Sequence, residues 1–197
     1  MRIYFIRHGE TEMNVSGKFY GWTDCDINEV GKRQAEELHT FFKTQKIDMV
    51  YSSDLLRAAH TAKIVFRDND CEIKYDSDFR EMNFGDWEDK DFAYIKEHHA
   101  EKLERWQTSW QDEFHENGES FVEFYDRVSK GIDRVVAESK GKNVAVVSHY
   151  GGLSASICHL IGAGSSAYWG FQFQQGCYNS VLSSVHGVQL ECLNRLP

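Results

Sequence analysis

Three short apolar runs in this chain of 197 residues end in side chains that can do chemistry. Residues 2–7, RIYFIR, run into Arg7-His8-Gly9-Glu10-Thr11. Residues 47–51, IDMVY, run into Ser52-Ser53-Asp54-Leu55-Leu56-Arg57, and residues 143–148, NVAVVS, end at Ser148-His149. If these runs are parallel strands of one sheet, their carboxyl ends share an edge, where open α/β sheets bind ligands. One pocket would then hold two histidines and two arginines. Arginine's planar fork of donors matches phosphate oxygens, so a phosphate is the natural guest. Gly9 would let the backbone approach it closely. Arg57 falls in the first turn or so of a helix capped by Ser53, where free amides and the helix dipole favour an anion. Singly, each residue has a plainer reading, as a packed histidine or a solvated arginine. The conjunction of three strand ends is what points to a site.

The elements that must position these residues follow from periodicity. Val30, Ala35, Leu38, Phe41 and Phe42 lie close to helical spacing within Asn28 to Gln45. Leu55, Leu56, Ala59 and Ala62 belong to the helix after Ser53. Residues 71–75 read as a short strand and 76–91 as an acidic loop. Residues 89–113 are helical, carrying Phe92, Ile95, Leu103, Trp106 and Trp110. Ser120 and Glu123 form a capping box, from which Phe121, Phe124, Tyr125, Val128, Ile132, Val135 and Val136 trace one helical face. A helix over 152–161 and strands near 179–185 and 188–193 complete the chain. Strand-helix alternation predicts a three-layer α/β/α sandwich with a mainly parallel central sheet. With no repeat, low-complexity segment or linker, residues 1–197 read as one domain, and 89–113 as a helical insert or lid.

Composition narrows the function classes. Lys and Arg number 22 against 31 Asp and Glu, a formal charge of −9, and such an acidic chain is a poor nucleic-acid binder. An aromatic content of 14% argues against disorder. No apolar run approaches the ~18 residues of a membrane span, so no membrane partner is expected. The N-terminus lacks the long apolar stretch of a secretory signal. Cys25, Cys71, Cys158, Cys177 and Cys192 are odd in number and widely spaced, which suits reduced thiols in the cytoplasm. His98, His99 and His115 lack a metal-ligand pattern, so no metal or other cofactor is expected.

Residues 5–14, FIRHGETEMN, resemble the R-H-G signature of the histidine phosphatase superfamily, also called phosphoglycerate mutase-like. SSDLLRAAHTA at 52–62, REMNFGDWE at 80–88 and VVSHYGG at 146–152 are similar to that family's later motifs, in family order. With the tail included, the resemblance covers essentially the whole chain. It implies the phosphoglycerate mutase-like fold and a metal-independent phosphatase. It implies that His8 is the nucleophile that becomes phosphohistidine and that Arg7, Arg57 and His149 hold the phosphoryl oxygens. Glu81 would protonate the leaving oxygen and Asn14 would add a phosphate hydrogen bond. Asp86, Glu88 and Glu10 are alternative carboxylates for the acid. The chemistry is consistent with these roles. Flanking guanidinium groups keep an imidazole unprotonated, and a carbonyl on its other nitrogen sets the tautomer. Pre-placed cations and amides meet the phosphoryl charge, and a carboxylic acid supplies the leaving group's proton. The chain departs from the family pattern at His60, often Gln; at Tyr150, often Gly, where it would wall the pocket; and at Asp89, often Gly.

Within the superfamily, NFGDWE at 83–88, W-x-x-x-W-Q from Trp106 to Gln111, NGESFVEFYDRV at 117–128 and WGFQFQQGCYNS at 169–180 resemble the branch that hydrolyses α-ribazole 5′-phosphate. That ester joins a phosphate to a flat, apolar base, so cations should meet aromatic faces. Phe84, Trp87, Trp106, Trp110 and Tyr150 are candidates, although the tryptophans could equally fill core stripes of the helix. The alternatives are a broad small-molecule phosphatase, a phosphoglycerate mutase or a non-catalytic phospho-ligand module. Ten of the acidic residues, against three basic ones, fall in residues 68–91. An acidic rim around a small cationic pocket would favour a small phosphomonoester over a polyanion.

Overall fold

A computed structural model describes residues 1–112 and 115–197. In chain order the elements are β1 (Arg2–Arg7), α1 (Glu12–Val15), β2 (Lys18–Phe19), α2 (Glu29–Phe42), β3 (Met49–Ser52) and α3 (Leu56–Val65). Then come β4 (Ile73–Tyr75), β5 (Lys90–Asp91), α4 (Phe92–His98), α5 (Ala100–Ser109) and α6 (Phe121–Glu138). β6 (Val144–Ser148), α7 (Tyr150–Leu160), β7 (Tyr178–Ser184) and β8 (Gly187–Arg195) follow. The main sheet has the order β4-β3-β6-β1-β7-β8. Its first four strands are parallel; β7 pairs antiparallel with β1, and β8 pairs antiparallel with β7 at the far edge.

Alternation along the strands separates two cores. Tyr4, Ile6, Ala145 and Val147 pack with Ala35, Leu38 and Phe42 of α2 and Ala58, Ala62 and Val65 of α3. Ile3, Phe5, Val144 and Val146 face the other way, onto Ile132 and Val135 of α6 and Leu153 and Ile157 of α7. Side chains on successive strand residues point to opposite faces, so both faces of β1 and β6 need a helical cover. The three-layer sandwich read from the sequence is the observed one. Burying each of the larger apolar side chains contributes about 1.5–3 kcal/mol.

Local signals hold with some shifts. Ser120 caps α6, with its hydroxyl accepting from Glu123 N–H and the Glu123 carboxylate accepting from Ser120 N–H. The expected helix over 89–113 is two helices broken at His99, where φ is −135°; residue 113 lies outside the described residues. Ser53 does not cap α3. Leu55 is its N-cap, Ser53 Oγ accepts from Leu55 N–H at 3.3 Å, and Leu56 N–H is taken by Asp24. Asp89 has φ +61°, which explains why glycine is frequent there. All five cysteines are free. No helix among the described residues is long and apolar enough to cross a membrane.

Candidate active site

The parallel register brings the three strand ends together. Arg7 of β1 lies opposite Ser148 of β6, and Ser52 of β3 lies opposite Val147. The ladder continues one residue further, with His8 N–H on Ser148 O and Ser53 N–H on Val147 O, both at 2.9 Å. The backbone thereby fixes where His8, Ser53 and His149 begin.

His8 is buried, and its Nδ1 lies 2.8 Å from Gly9 O. A carbonyl oxygen only accepts, so Nδ1 carries the proton and Nε2 is left with its lone pair. Burial, then the Arg57 and Arg7 charges, hold the imidazole well below its usual titration range. His8 is therefore a neutral base with a defined tautomer. Its ring lies 5.1 Å from that of His149.

Arg57 is fully buried. Its Nε donates to His149 Nδ1 at 3.1 Å, Nη1 to Thr23 O at 3.0 Å and Nη2 to Gly21 O at 2.6 Å. These bonds use three of five N–H groups and leave one on each terminal nitrogen for a ligand. Because His149 Nδ1 accepts from Arg57, its Nε2 carries the proton and donates to Ser53 Oγ at 2.9 Å. His149 is also held neutral, by burial and then by the charge of Arg57. His149 thus bridges Arg57 and Ser53, with one ring nitrogen on each.

Arg7 donates through Nη1 to Phe173 O at 2.9 Å, and its guanidinium lies 5.6 Å from the centre of the Tyr150 ring. Its Nε is buried with no hydrogen-bond partner among the described residues. Burial lowers its pKa from the usual value. Among the described residues neither Arg7 nor Arg57 makes a salt bridge to a carboxylate. Two desolvated cations without a counter-ion, one with an unmet donor, form a site that an anion would stabilise.

Glu81 sits at the N-terminus of α7, its carboxylate accepting from Gly151 N–H at 2.9 Å and Met82 N–H at 3.0 Å. A Cβ on Gly151 would lie 2.2 Å from Glu81 Oε1 and 2.4 Å from the Tyr168 hydroxyl, so only glycine lets the carboxylate dock. Burial raises the Glu81 pKa, while the two amides and then the arginines oppose the rise. Of the alternative acids, Glu88 is enclosed by amides, Asp86 accepts from Asn117, and Glu10 accepts from Asn28.

Gly9 does not serve the ligand as expected. Its N–H donates to Thr61 Oγ1, and a Cβ there would lie 2.6 Å from Gly31 O of α2. The glycine is required by helix-strand packing. Thr11 caps α1, and Asn14 Oδ1 accepts from Thr11 N–H to close the capping box and from Gln175 Nε2 at 2.7 Å. His60 pairs with Asp26 on the surface. Within the acidic segment some of the carboxylates find partners. Asp76 and Asp78 bind Arg134, Asp89 binds Lys18, and Glu88 binds amides.

The aromatic expectation is corrected in part. Trp87 is 1% exposed and packs with Ile95 and Leu103, so it is core. Phe84, Trp106 and Trp110 close with Met82, Phe121, Tyr168 and Trp169 around a cavity of about 30 Å³, far too small for an aromatic base. The residue that sequence reasoning missed is Trp169, 48% exposed and 6.1 Å from Tyr150, which stands beside Arg7. The carbonyls of Gly21 and Thr23 were also missed, since a main-chain acceptor has no sequence signature. Among the described residues no cluster of three or more His, Cys, Asp or Glu is arranged to hold a metal ion.

The chain is similar to known proteins along nearly its whole length. The chain is 36% identical over 194 residues to an Escherichia coli K12 protein named adenosylcobalamin/alpha-ribazole phosphatase, covering 98% of this chain and 96% of the relative. It is 30% identical over 186 residues to phosphoserine phosphatase 1 of Hydrogenobacter thermophilus, covering 94% and 86%. The crystal structure of the alpha-ribazole phosphatase from Shigella flexneri superposes with a TM-score of 0.94 at 35% identity, covering 100% and 98% of the two chains. The profile of the histidine phosphatase superfamily (branch 1) matches residues 3–195, and the chain belongs to that family.

Proposed function

We propose that the protein hydrolyses α-ribazole 5′-phosphate to α-ribazole and phosphate through a phosphohistidine at His8. The observation that carries the chemistry is a neutral His8, with Nε2 unprotonated, near the buried Arg57 and the partly buried Arg7, which lack a carboxylate partner among the described residues. His8 Nε2 attacks phosphorus, and the P–N bond forms as the ester P–O bond breaks. The leaving alkoxide takes a proton from Glu81. Water then attacks the phosphohistidine, giving its proton to the Glu81 carboxylate and returning the bonding pair to Nε2. The two remaining Arg57 N–H groups, Arg7 and the Asn14 amide receive the phosphoryl oxygens, whose charge is met without rearrangement. A bound phosphate dianion raises the Glu81 pKa further, which favours the acid form at the step that needs it. The chain acts as one catalytic domain, with α4 and α5 as a cap beside the pocket.

The choice of ester follows from the names of the relatives and from the wall of Tyr150 and Trp169 next to Arg7. Such a wall suits a flat base attached to a phosphate. A broader phosphatase is the second reading, favoured by the relative named phosphoserine phosphatase 1. The deciding experiment compares kcat/KM for α-ribazole 5′-phosphate, phosphoserine, 3-phosphoglycerate, fructose bisphosphates and nucleoside monophosphates. Preference for α-ribazole 5′-phosphate is expected, and preference for any other ester overturns the assignment.

A further inference from the structure

We propose that Glu88 is a positioning residue that sets the direction of the Arg57 guanidinium through the main chain of residues 21–23; this rests on the phosphatase reading above. Glu88 Oε1 accepts from Gly21 N–H at 2.8 Å, Trp22 N–H at 2.9 Å and Phe84 N–H at 3.0 Å. Oε2 accepts from Gly21 N–H at 3.0 Å and Thr23 N–H at 2.9 Å. Three successive amides converging on one anion form a backbone nest. The same residues turn carbonyls toward Arg57, with Gly21 O on Nη2 and Thr23 O on Nη1. The loop is therefore clamped between an anion on its N–H side and a cation on its C=O side.

The consequence falls on the ligand-facing donors. A guanidinium is a rigid planar fork, so fixing three of its N–H groups fixes the direction of the other two. The loop has little slack in the opposite direction, because a Cβ on Gly21 would lie 1.6 Å from Met82 O. It also braces the segment carrying Glu81, through the Trp22 indole N–H on Glu81 O at 3.0 Å. Glu88 spends both oxygens on amides, so its effect on the chemistry runs through Arg57 rather than through substrate. Replacing the carboxylate by an amide puts an NH2 against amide donors. The loop then loses the geometry that aims Arg57.

The test is a double-mutant cycle on kcat/KM for p-nitrophenyl phosphate with wild type, Glu88→Gln, Arg57→Lys and the double variant. A lysine keeps the charge but cannot span both carbonyls and His149 as a fork. With Arg57 present, Glu88→Gln is expected to lower kcat/KM about 100-fold, as small misplacements of a catalytic group do. In the Arg57→Lys background the same change is expected to cost no more than about twofold, since the coupled partner is already lost. Equal losses in both backgrounds, or wild-type activity of Glu88→Gln, overturn the proposal. If Glu88→Gln does not fold, Glu88→Asp is read in the same cycle, and failure of both to fold makes Glu88 a stability residue and also overturns it. Unimpaired activity of Arg57→Lys would instead overturn the phosphatase site itself, whatever the effect at position 88.

Discussion

The strand-end pocket and the aromatic cap beside it were read from the same sequence with different success. In the pocket Arg7 ends a parallel strand, and His8, Ser53 and His149 each follow one directly, so the ladder places them. Its groups are held by directional bonds, such as Arg57 to Gly21, Thr23 and His149. In the cap, Trp87, Trp106 and Trp110 are held by apolar packing, and nothing in their spacing says which ring faces out. Hydrogen bonds fix direction, whereas hydrophobic burial is non-directional. Chemistry follows the first kind of region and stability the second.

That contrast can be broken by mutation, most sharply at His8. His8→Ala is expected to lower kcat for phosphate release by about 10⁴-fold or more, as loss of a nucleophile does, with little change in Tm. Substantial activity in that variant, measured with an aryl phosphate in EDTA, would remove the pocket from the mechanism. Glu81→Gln is expected to cost about 10²–10⁴-fold, the usual worth of a positioned acid. Its signature is in the pH profile. The wild-type acid limb lies below the ordinary histidine range, because His8 is held neutral, and the alkaline limb follows deprotonation of the raised Glu81. The variant should lose the alkaline limb alone, and an unchanged profile would shift the proton donor to another group.

In the cap the order of effects reverses. Leu103→Ala should destabilise the protein by about 2–5 kcal/mol in a denaturant titration, the cost of emptying a packed site, while kcat stays close to wild type. A large loss of kcat with unchanged stability would make α5 part of the chemistry. The smallest effect expected is at Trp169. Removing one aromatic face is worth about 0.5–1.5 kcal/mol, so Trp169→Ala should cost roughly two- to tenfold in kcat/KM for α-ribazole 5′-phosphate. β-Glycerophosphate, which has no ring, should be unaffected; equal losses on both esters would remove Trp169 from base recognition.

Legibility followed the range of the interaction. The capping box of Ser120 and Glu123 spans four residues and was readable, as were the helical face of α6 and the apolar run of β1. The second box, Thr11 with Asn14, went unread because it caps a helix of four residues with no apolar period. Gly9 was legible as a close approach but not as an approach to Gly31, 22 positions along the chain. His149 was legible at the end of β6, but not its bonds to Arg57 and Ser53, which join segments more than 90 positions apart. Trp169 and Trp87 could not be told apart, since burial depends on what packs above them.

The sequence by itself determined the layered α/β order, the family motifs and the strand ends at Arg7-His8, Ser52-Ser53 and Ser148-His149, because these depend on period, propensity and motif. Only the tertiary structure decided the tautomer of His8, the carbonyls that grip Arg57, the amides that seat Glu81 and Glu88, and the exposure of Trp169 beside Tyr150. Those features are made by main-chain groups and by packing between distant segments. Every residue carries the same N–H and C=O, so their direction is written in the fold rather than in residue type.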